Sequence, residues 1–377
     1  MRGVSLLLEN VRLGDGASWG SVAIVDGRFA PEPSPDMPRL DADGAVAVPG
    51  FVDLQINGGF GHDFTRDPGS IWEVAARLPR FGVCGFLPTL VSPDPATVAR
   101  ARDVLRAGPP TGWRGARPLG LHCEGPMLAP SRRGAHRPDA LRMPSVDVVA
   151  GWAPEVRMAT LAPELDGAVE VIGSLREAEV VVAAGHSDAS FEDAEAAFAA
   201  GITHVTHLFN AMSGLHHRTP GLAAAALVSP TVTAGIIVDG IHVHPAVVYL
   251  AWRLMGPARL TVVTDAVAAM GAETPTSTLA GSPVTATARG VFDGDGRLAG
   301  SAVPFDQAVR NLMTFTGASL PEAVVAAAVT PRRILGLAVP DPSIPGSPAD
   351  LVLLDDDADV VATVVAGHVL YRRGGTS

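Results

Sequence analysis

Between residue 50 and about residue 266 the chain repeats one pattern eight times: a short apolar strand, then a helical or loop segment. The strands read "GFVDLQIN", "VCGFLPTL", "LGLHCEG", "EVRMATLAPE", "VVVAAGHS", "HVTHLFN", "TAGIIVDG" and "LTVVTDA". Most are nearly continuous in apolar residues, as strands covered on both faces are. Helix-period stretches lie between several of them, such as "IWEVAARLPRF", "ATVARARDVLRA", "SFEDAEAAFAAG" and "HPAVVYLAWRLMG". Ser190 opens the third of these as an N-cap, with acidic residues in the first turn. Repeated β-then-α units build a parallel sheet covered by helices. Eight of them predict an α/β fold, a (β/α)8 TIM-like barrel, which takes about 250 residues. Residues 49–342 supply that length with some insertion. A doubly wound open sheet is the runner-up, but no Gly-rich dinucleotide turn follows the first strand.

Both ends of the chain differ. Residues 1–48 read as short strands with turns at "GDG" and "VDGR", then a Pro-rich link. Residues 343–377 read the same way, so the two termini are expected to form one small β-sandwich domain. Residues 272–300 are expected to be a β-hairpin insertion after the eighth strand. The "DGDG" within it is a turn; a calcium loop would need a distal bidentate Glu that is missing.

Composition removes several function classes. The formal net charge is -11, and nucleic-acid binding needs a basic face. All 28 basic residues are arginine. Schiff-base, P-loop and metal-bridging carboxylated lysines are therefore excluded. Two cysteines, Cys84 and Cys123, suggest no disulfide framework. No apolar run has the length of a membrane span and the N-terminus lacks a signal-peptide layout, so a cytoplasmic location is expected.

Barrel active sites form at the C-terminal strand ends, and these ends are polar. They carry Glu124 ("HCEGP"), His186 ("GHS"), His207 and Asn210 ("THLFNAM"), Asp239 and His242 ("DGIH") and Asp265 ("TDA"). A lone His beside an apolar strand is usually structural; several strands each bringing a His, Glu or Asp to one rim are not explained that way. One carboxylate and two imidazoles suit a catalytic zinc with an open position for water, whose pKa zinc lowers to about 7. Asp265 is then placed to take the proton from water and pass it to a leaving group. Cys123 should point away from Glu124 and be a buried structural thiol.

The motifs "PGFVDLQINGG", "GLHCEGPML", "RRGAHRP", "AGHSDA", "THLFNAMSGLHHRTPGLAAAAL", "IVDGIHV", "VVTDA" and "RLAGSA" resemble, in order, those of the N-acetylglucosamine-6-phosphate deacetylase family of the amidohydrolase superfamily. The resemblance runs over roughly residues 49–336. It implies hydrolysis of the acetamide of N-acetylglucosamine 6-phosphate, in amino-sugar catabolism or recycling. The alternatives are deacetylation of another N-acetyl amino-sugar phosphate, such as N-acetylgalactosamine 6-phosphate, and a non-catalytic barrel scaffold. A scaffold should have lost Asp265 or a ligand, and none is lost. The resemblance further implies metal ligands Glu124, His186 and His207, with Asp265 as acid–base. It implies substrate contacts at Ala135, His136 (near the acetyl carbonyl oxygen), Asn210, Ala211 and Arg218. It adds the segments Asp239, Gly240, Ile241, His242 and Leu298, Ala299, Gly300, as well as a homodimer. Arg218 offers a fork of donors suited to phosphate. Arg132 and Arg133 are expected to be a solvated loop face, and one of His216 and His217 an exposed loop residue.

The first strand ends in Gln55 and Asn57, where many metal-dependent hydrolases carry His-x-His. Some members of the resembled family have two histidines there and others Gln-x-Asn, which works with one metal. One divalent metal, zinc, is therefore expected per subunit, with both amides lining the site as hydrogen-bonding groups.

Overall fold

The computed structural model describes residues 5–14 and 18–375. Eight parallel strands form the barrel: β1 (Phe51–Ile56), β2 (Val83–Val91), β3 (Leu121–Glu124), β4 (Val156–Leu161), β5 (Val181–Ala184), β6 (His204–Val205), β7 (Thr233–Ile237) and β8 (Leu260–Val263). Each pairs with the next in chain order. The ring closes between first and last: the Asp265 amide donates to the Gln55 carbonyl at 2.9 Å, and Asn57 to that of Ala266 at 2.7 Å. The open-sheet alternative is thereby set aside. The stretch "HVTHLFN" is a strand only over His204–Val205, because His207 turns into a left-handed conformation at φ 30°.

Helices cover the outside, among them α1 (Ile71–Arg77), α2 (Pro95–Ala107), α3 (Ala168–Glu177), α4 (Phe191–Ala200), α5 (Gly221–Val228), α6 (Pro245–Met255) and α7 (Phe305–Thr316). Ser190 caps α4 in a capping box with Asp193. Strand residues Phe86, Leu121, Ile236 and Val262 pack against Val98, Ile172 and Val248 of this helical layer. Cys123 lies in the same layer, facing away from the barrel interior. Inside, Val52, Leu54, Leu87, Met158 and Val263 form a separate apolar cluster. Nearer the C-terminal ends the filling turns polar: His122 Nε2 meets the Thr160 hydroxyl at 2.8 Å, which meets that of Thr206 at 2.6 Å.

The chain ends form a second sheet around its own core, with Leu8, Ile24 and Phe29 against Leu351, Leu353 and Val364. Its two halves join where Leu351–Leu354 pairs antiparallel with Val46–Pro49. The insertion after β8 is a three-stranded antiparallel meander, Thr276–Leu279, Ser282–Thr287 and Gly290–Asp293, one strand more than a hairpin. The "DGDG" is a turn in which Asp293 Oδ1 accepts from the amides of Asp295 and Arg297. No helix among the described residues is long and apolar enough to cross a membrane.

Candidate active site

Three atoms converge at the barrel mouth. Glu124 Oε1 lies 3.0 Å from His207 Nε2 and 3.3 Å from His186 Nε2, and the two nitrogens are 3.0 Å apart. All three side chains are buried. His186 Nδ1 is 2.9 Å from the Arg132 carbonyl, which can only accept, so Nδ1 carries the ring proton and Nε2 presents a lone pair. Two ring nitrogens and a carboxylate oxygen this close need a proton or a cation among them. A tetrahedral zinc with bonds of about 2.0–2.2 Å holds its ligand atoms about 3.3–3.6 Å apart, so the triangle needs only slight expansion to take one. His136 stands on the opposite side of the same carboxylate, with Nε2 3.4 Å from Glu124 Oε2. Glu124, His136 and His186 also offer ligand atoms within 4.8 Å of one another.

Local backbone explains the convergence. His186, His207 and Asp265 each follow a strand with positive φ, at 50°, 30° and 49°. Such conformations cost about 1–3 kcal/mol each and persist only where surroundings enforce them. Gly185 is one enforcing element: a Cβ there would come within 2.9 Å of Thr160 Cγ2 and 3.0 Å of Thr206 Cβ. The cost is typical of strand ends that turn side chains inward at a reaction centre.

The amides of Gln55 in β1 and of Asn57 just after it bind carboxylates. Gln55 Nε2 donates to Glu124 Oε1 at 2.8 Å, and Asn57 Nδ2 to Asp265 Oδ1 at 2.7 Å. Burial alone would raise the Glu124 pKa, but the close imidazoles of His136, His186 and His207 outweigh it and hold the carboxyl well below its usual range. Burial also works against a charged His207, and the Glu124 hydrogen bond overcomes it, raising that imidazole. Asp265 has no histidine donor among the described residues; burial, then the Glu124 charge, push it up to about 6. His136 is lowered to about 4 by burial and by the charge of His186.

These groups open onto a cavity of about 490 Å³. Of the residues expected at the site, Asn57, Glu124, Ala135, His136, His186 and His207 line it, and so do Asn210, Ala211, His242, Asp265, Leu298 and Gly300. Others stand back. Gln55 is buried behind Glu124. Asp239 orients His242, its Oδ2 2.7 Å from Nδ1, while Oδ1 accepts the Ile241 and His242 amides. Gly240 is not in the wall and Ile241 is exposed. Ala299 is buried in the meander's core beside Val267 and Leu279. Arg218 is exposed and lines an adjoining cavity with His216 and Asp188, apart from the one that holds the ligand triangle. Its loop leaves that cavity after Ala211, and nothing in the spacing of "NAMSGLHHR" marks that turn.

Arg132 and Arg133 correct the expectation of a solvated face. Both line the cavity; Arg132 orients His186 through its carbonyl and pairs with Asp188, and Arg133 Nη1 donates to the His136 carbonyl at 2.8 Å. Their position between "EGP" and His136 was the available signal. Arg297, also in the wall, was missed beside Leu298.

A model of the amidohydrolase family matches residues 46–370. The N-acetylglucosamine-6-phosphate deacetylase of Rattus norvegicus is 39% identical over 353 residues, 89% of this chain and 85% of its own. The deacetylase of that name from Thermotoga maritima superposes with a TM-score of 0.86 at 32% identity, covering 97% of this chain and 99% of that one. A mutant of the Mycobacterium smegmatis N-acetyl-D-glucosamine-6-phosphate deacetylase, solved with N-acetyl-D-glucosamine-6-phosphate, gives 0.85 at 33% identity over 98% and 100%. On a match that spans both the barrel and parts of the terminal sheet, the chain belongs to the amidohydrolase family.

Proposed function

We propose that the chain hydrolyses the acetamide of N-acetylglucosamine 6-phosphate, giving glucosamine 6-phosphate and acetate. The observation that carries this reading is the Glu124–His186–His207 triangle sharing a cavity with Asp265. In this reading Glu124, His186 and His207 hold one zinc ion, and Gln55 and Asn57 orient Glu124 and Asp265. When bound, the metal supplies Lewis-acid activation of the attacking water and the acetyl carbonyl.

The chain's own groups do the rest. Asp265, with a pKa of about 6, is largely ionised at neutral pH. Asn57 occupies Oδ1, which leaves Oδ2 to accept the proton from water as its oxygen adds to the acetyl carbon. The same carboxyl then protonates the amide nitrogen as the C–N bond breaks, and the amine leaves. His136 faces the carbonyl oxygen. Asn210, Ala211 and His242 lie where the sugar phosphate would extend. Leu298 and Gly300 close the wall from the side of the meander.

Arg218 meets the phosphate in this reading as a residue of a second subunit, since it lies outside its own chain's cavity. The exposed apolar side chains Val228, Tyr249, Leu250 and Leu254 of α5 and α6 supply a face for such a homodimer. The enzyme is placed in the cytoplasm, where sugar phosphates are found.

The test is acetate release from N-acetylglucosamine 6-phosphate by purified protein, with metal content measured on the same sample. Release that is absent with one equivalent of zinc bound overturns the substrate; release that survives complete metal removal overturns the metal.

A further inference from the structure

We propose that Ser92 is a positioning residue: its hydroxyl fixes the ring proton of His136 on Nε2, the nitrogen facing Glu124. What that proton does rests on the deacetylase reading; where it sits does not. Ser92 directly follows β2, and its amide donates to the Glu124 carbonyl at 2.8 Å. It is 7% exposed and His136 3%. Ser92 Oγ lies 2.7 Å from His136 Nδ1, and the hydroxyl has no other hydrogen-bond partner among the described residues.

A hydroxyl carries one proton and can accept others. If Nδ1 held the ring proton, Ser92 would accept it, and its own proton would have no protein acceptor among the described residues. If Ser92 donates instead, Nδ1 is satisfied as an acceptor and the ring proton moves to Nε2. The far end of the ring makes the same choice. Nε2 is 3.4 Å from Glu124 Oε2; a lone pair there would face a carboxylate's lone pairs, whereas an N–H is attracted to them. Two independent ends of one ring therefore select one tautomer.

This decides between two uses of His136. Its atoms are close enough to Glu124 and His186 to join a metal set, but a ligating Nε2 needs a lone pair, and Ser92 takes that arrangement away. His136 is left as a hydrogen-bond donor into the cavity, suited to the developing negative charge on an acetyl carbonyl oxygen. The Arg133 guanidinium on the His136 carbonyl holds the loop from behind. Without the Ser92 hydroxyl only the Glu124 end still favours Nε2–H, so the preference weakens, the ring loses its fixed angle, and only one of the two tautomers donates.

The test uses zinc-loaded protein with 15N-labelled histidine. Long-range 1H–15N spectra separate protonated from bare ring nitrogens, with His136 assigned by the peaks lost in His136→Gln. The expected result is a protonated Nε2 and a bare, hydrogen-bonded Nδ1. Ser92→Ala and Ser92→Gly both delete the hydroxyl. Glycine also relieves the left-handed backbone at φ 39°, so a shared effect belongs to the hydroxyl and not to strain. Both should weaken the tautomer preference and lower kcat about 10-fold, the worth of one orienting hydrogen bond, with KM and bound zinc little changed. A wild type protonated on Nδ1 overturns the proposal, and so do variants that keep wild-type kcat and spectra. A wild type with the expected tautomer that releases no acetate supports the role of Ser92 and overturns the deacetylase reading instead.

Discussion

Asp265 is held between opposing influences. Burial and the Glu124 charge favour its protonated form, while His207 and the Asn57 hydrogen bond favour the ionised one, and the balance falls at about 6. A base must be ionised to work, so kcat/KM should fall as pH drops through about 6. A cation among the ligands favours the carboxylate and moves that limb lower, never higher. A profile whose acid limb lies well above 6 would remove Asp265 from the role. Asp265→Asn keeps the shape and the contact with Asn57 but cannot accept a proton. It should cost about 10²–10⁴-fold in turnover while bound metal stays unchanged; a near-normal rate with metal intact would contradict the assignment. The neighbouring amides bear on metal count. Gln55 and Asn57 each spend a donor on a carboxylate, so neither offers the paired imidazoles that a second metal would need. Elemental analysis of protein purified without added metal should give close to one equivalent, and two firmly held equivalents would refute that arrangement.

At the scale of elements, the barrel depends on the seam between β1 and β8. Asp53 lies in that seam: its carboxylate accepts from the Thr264 hydroxyl at 2.6 Å and from the Gln55 backbone N–H at 3.1 Å. Burial raises Asp53 from its ordinary 3.8 to about 7, against those hydrogen bonds. Since the folded pKa is above the unfolded one, the folded chain binds the extra proton between these values. Stability therefore falls as pH rises through that window and levels off above about 7. Asp53→Asn removes this term, so its stability advantage over wild type should grow between pH 5 and pH 8 in urea melts. Parallel curves for the two proteins would show that Asp53 is not protonated in the fold. Much of this architecture was legible in the sequence. Eight apolar runs separated by helix patterns announce the barrel, and Glu124, His186, His207 and Asp265 at their ends announce the rim. What periodicity hides is the path of loops. Arg132 and Arg133 look like solvated charge, yet their loop folds back over His186 because a carbonyl is needed at Nδ1. Ser92 is one hydroxyl among many until its distance to His136 is seen. The two-residue β6 reads longer because nothing in "HVTHL" forbids a strand; only the inward turn of His207 ends it.

For the whole molecule the question is how an acidic protein holds a phosphate. With a net charge of -11, the overall field repels a sugar phosphate, so local cations must hold it. Within one chain the guanidiniums in the cavity wall are already engaged. Arg132 pairs with Asp188, Arg297 with Asp295, and Arg133 binds the His136 carbonyl. Arg218 has no carboxylate partner among the described residues, but it stands in the adjoining cavity. If a second copy brings its Arg218 to the first copy's cavity, the two facts fit together, and the exposed Tyr249, Leu250 and Leu254 of α6 become covered surface. Arg218→Ala should then raise KM for the sugar phosphate about 10- to 100-fold, the worth of a hydrogen bond to a charged group, without altering metal content or helix content. The decisive measurement mixes chains. Arg218→Ala retains Asp265, and Asp265→Asn retains Arg218. Alone, each forms only defective sites. Refolded together in equal amounts, half of the dimers pair unlike chains, and one of the two sites in each has both groups. Activity at low substrate should recover to about a quarter of wild type for a closed two-fold dimer. If Arg218 serves its own chain, every site in the mixture lacks one group and activity stays at the average of the two parents. If sedimentation shows a monomer at assay concentrations, no exchange of Arg218 takes place, and the phosphate must be bound by groups in the chain's own cavity wall.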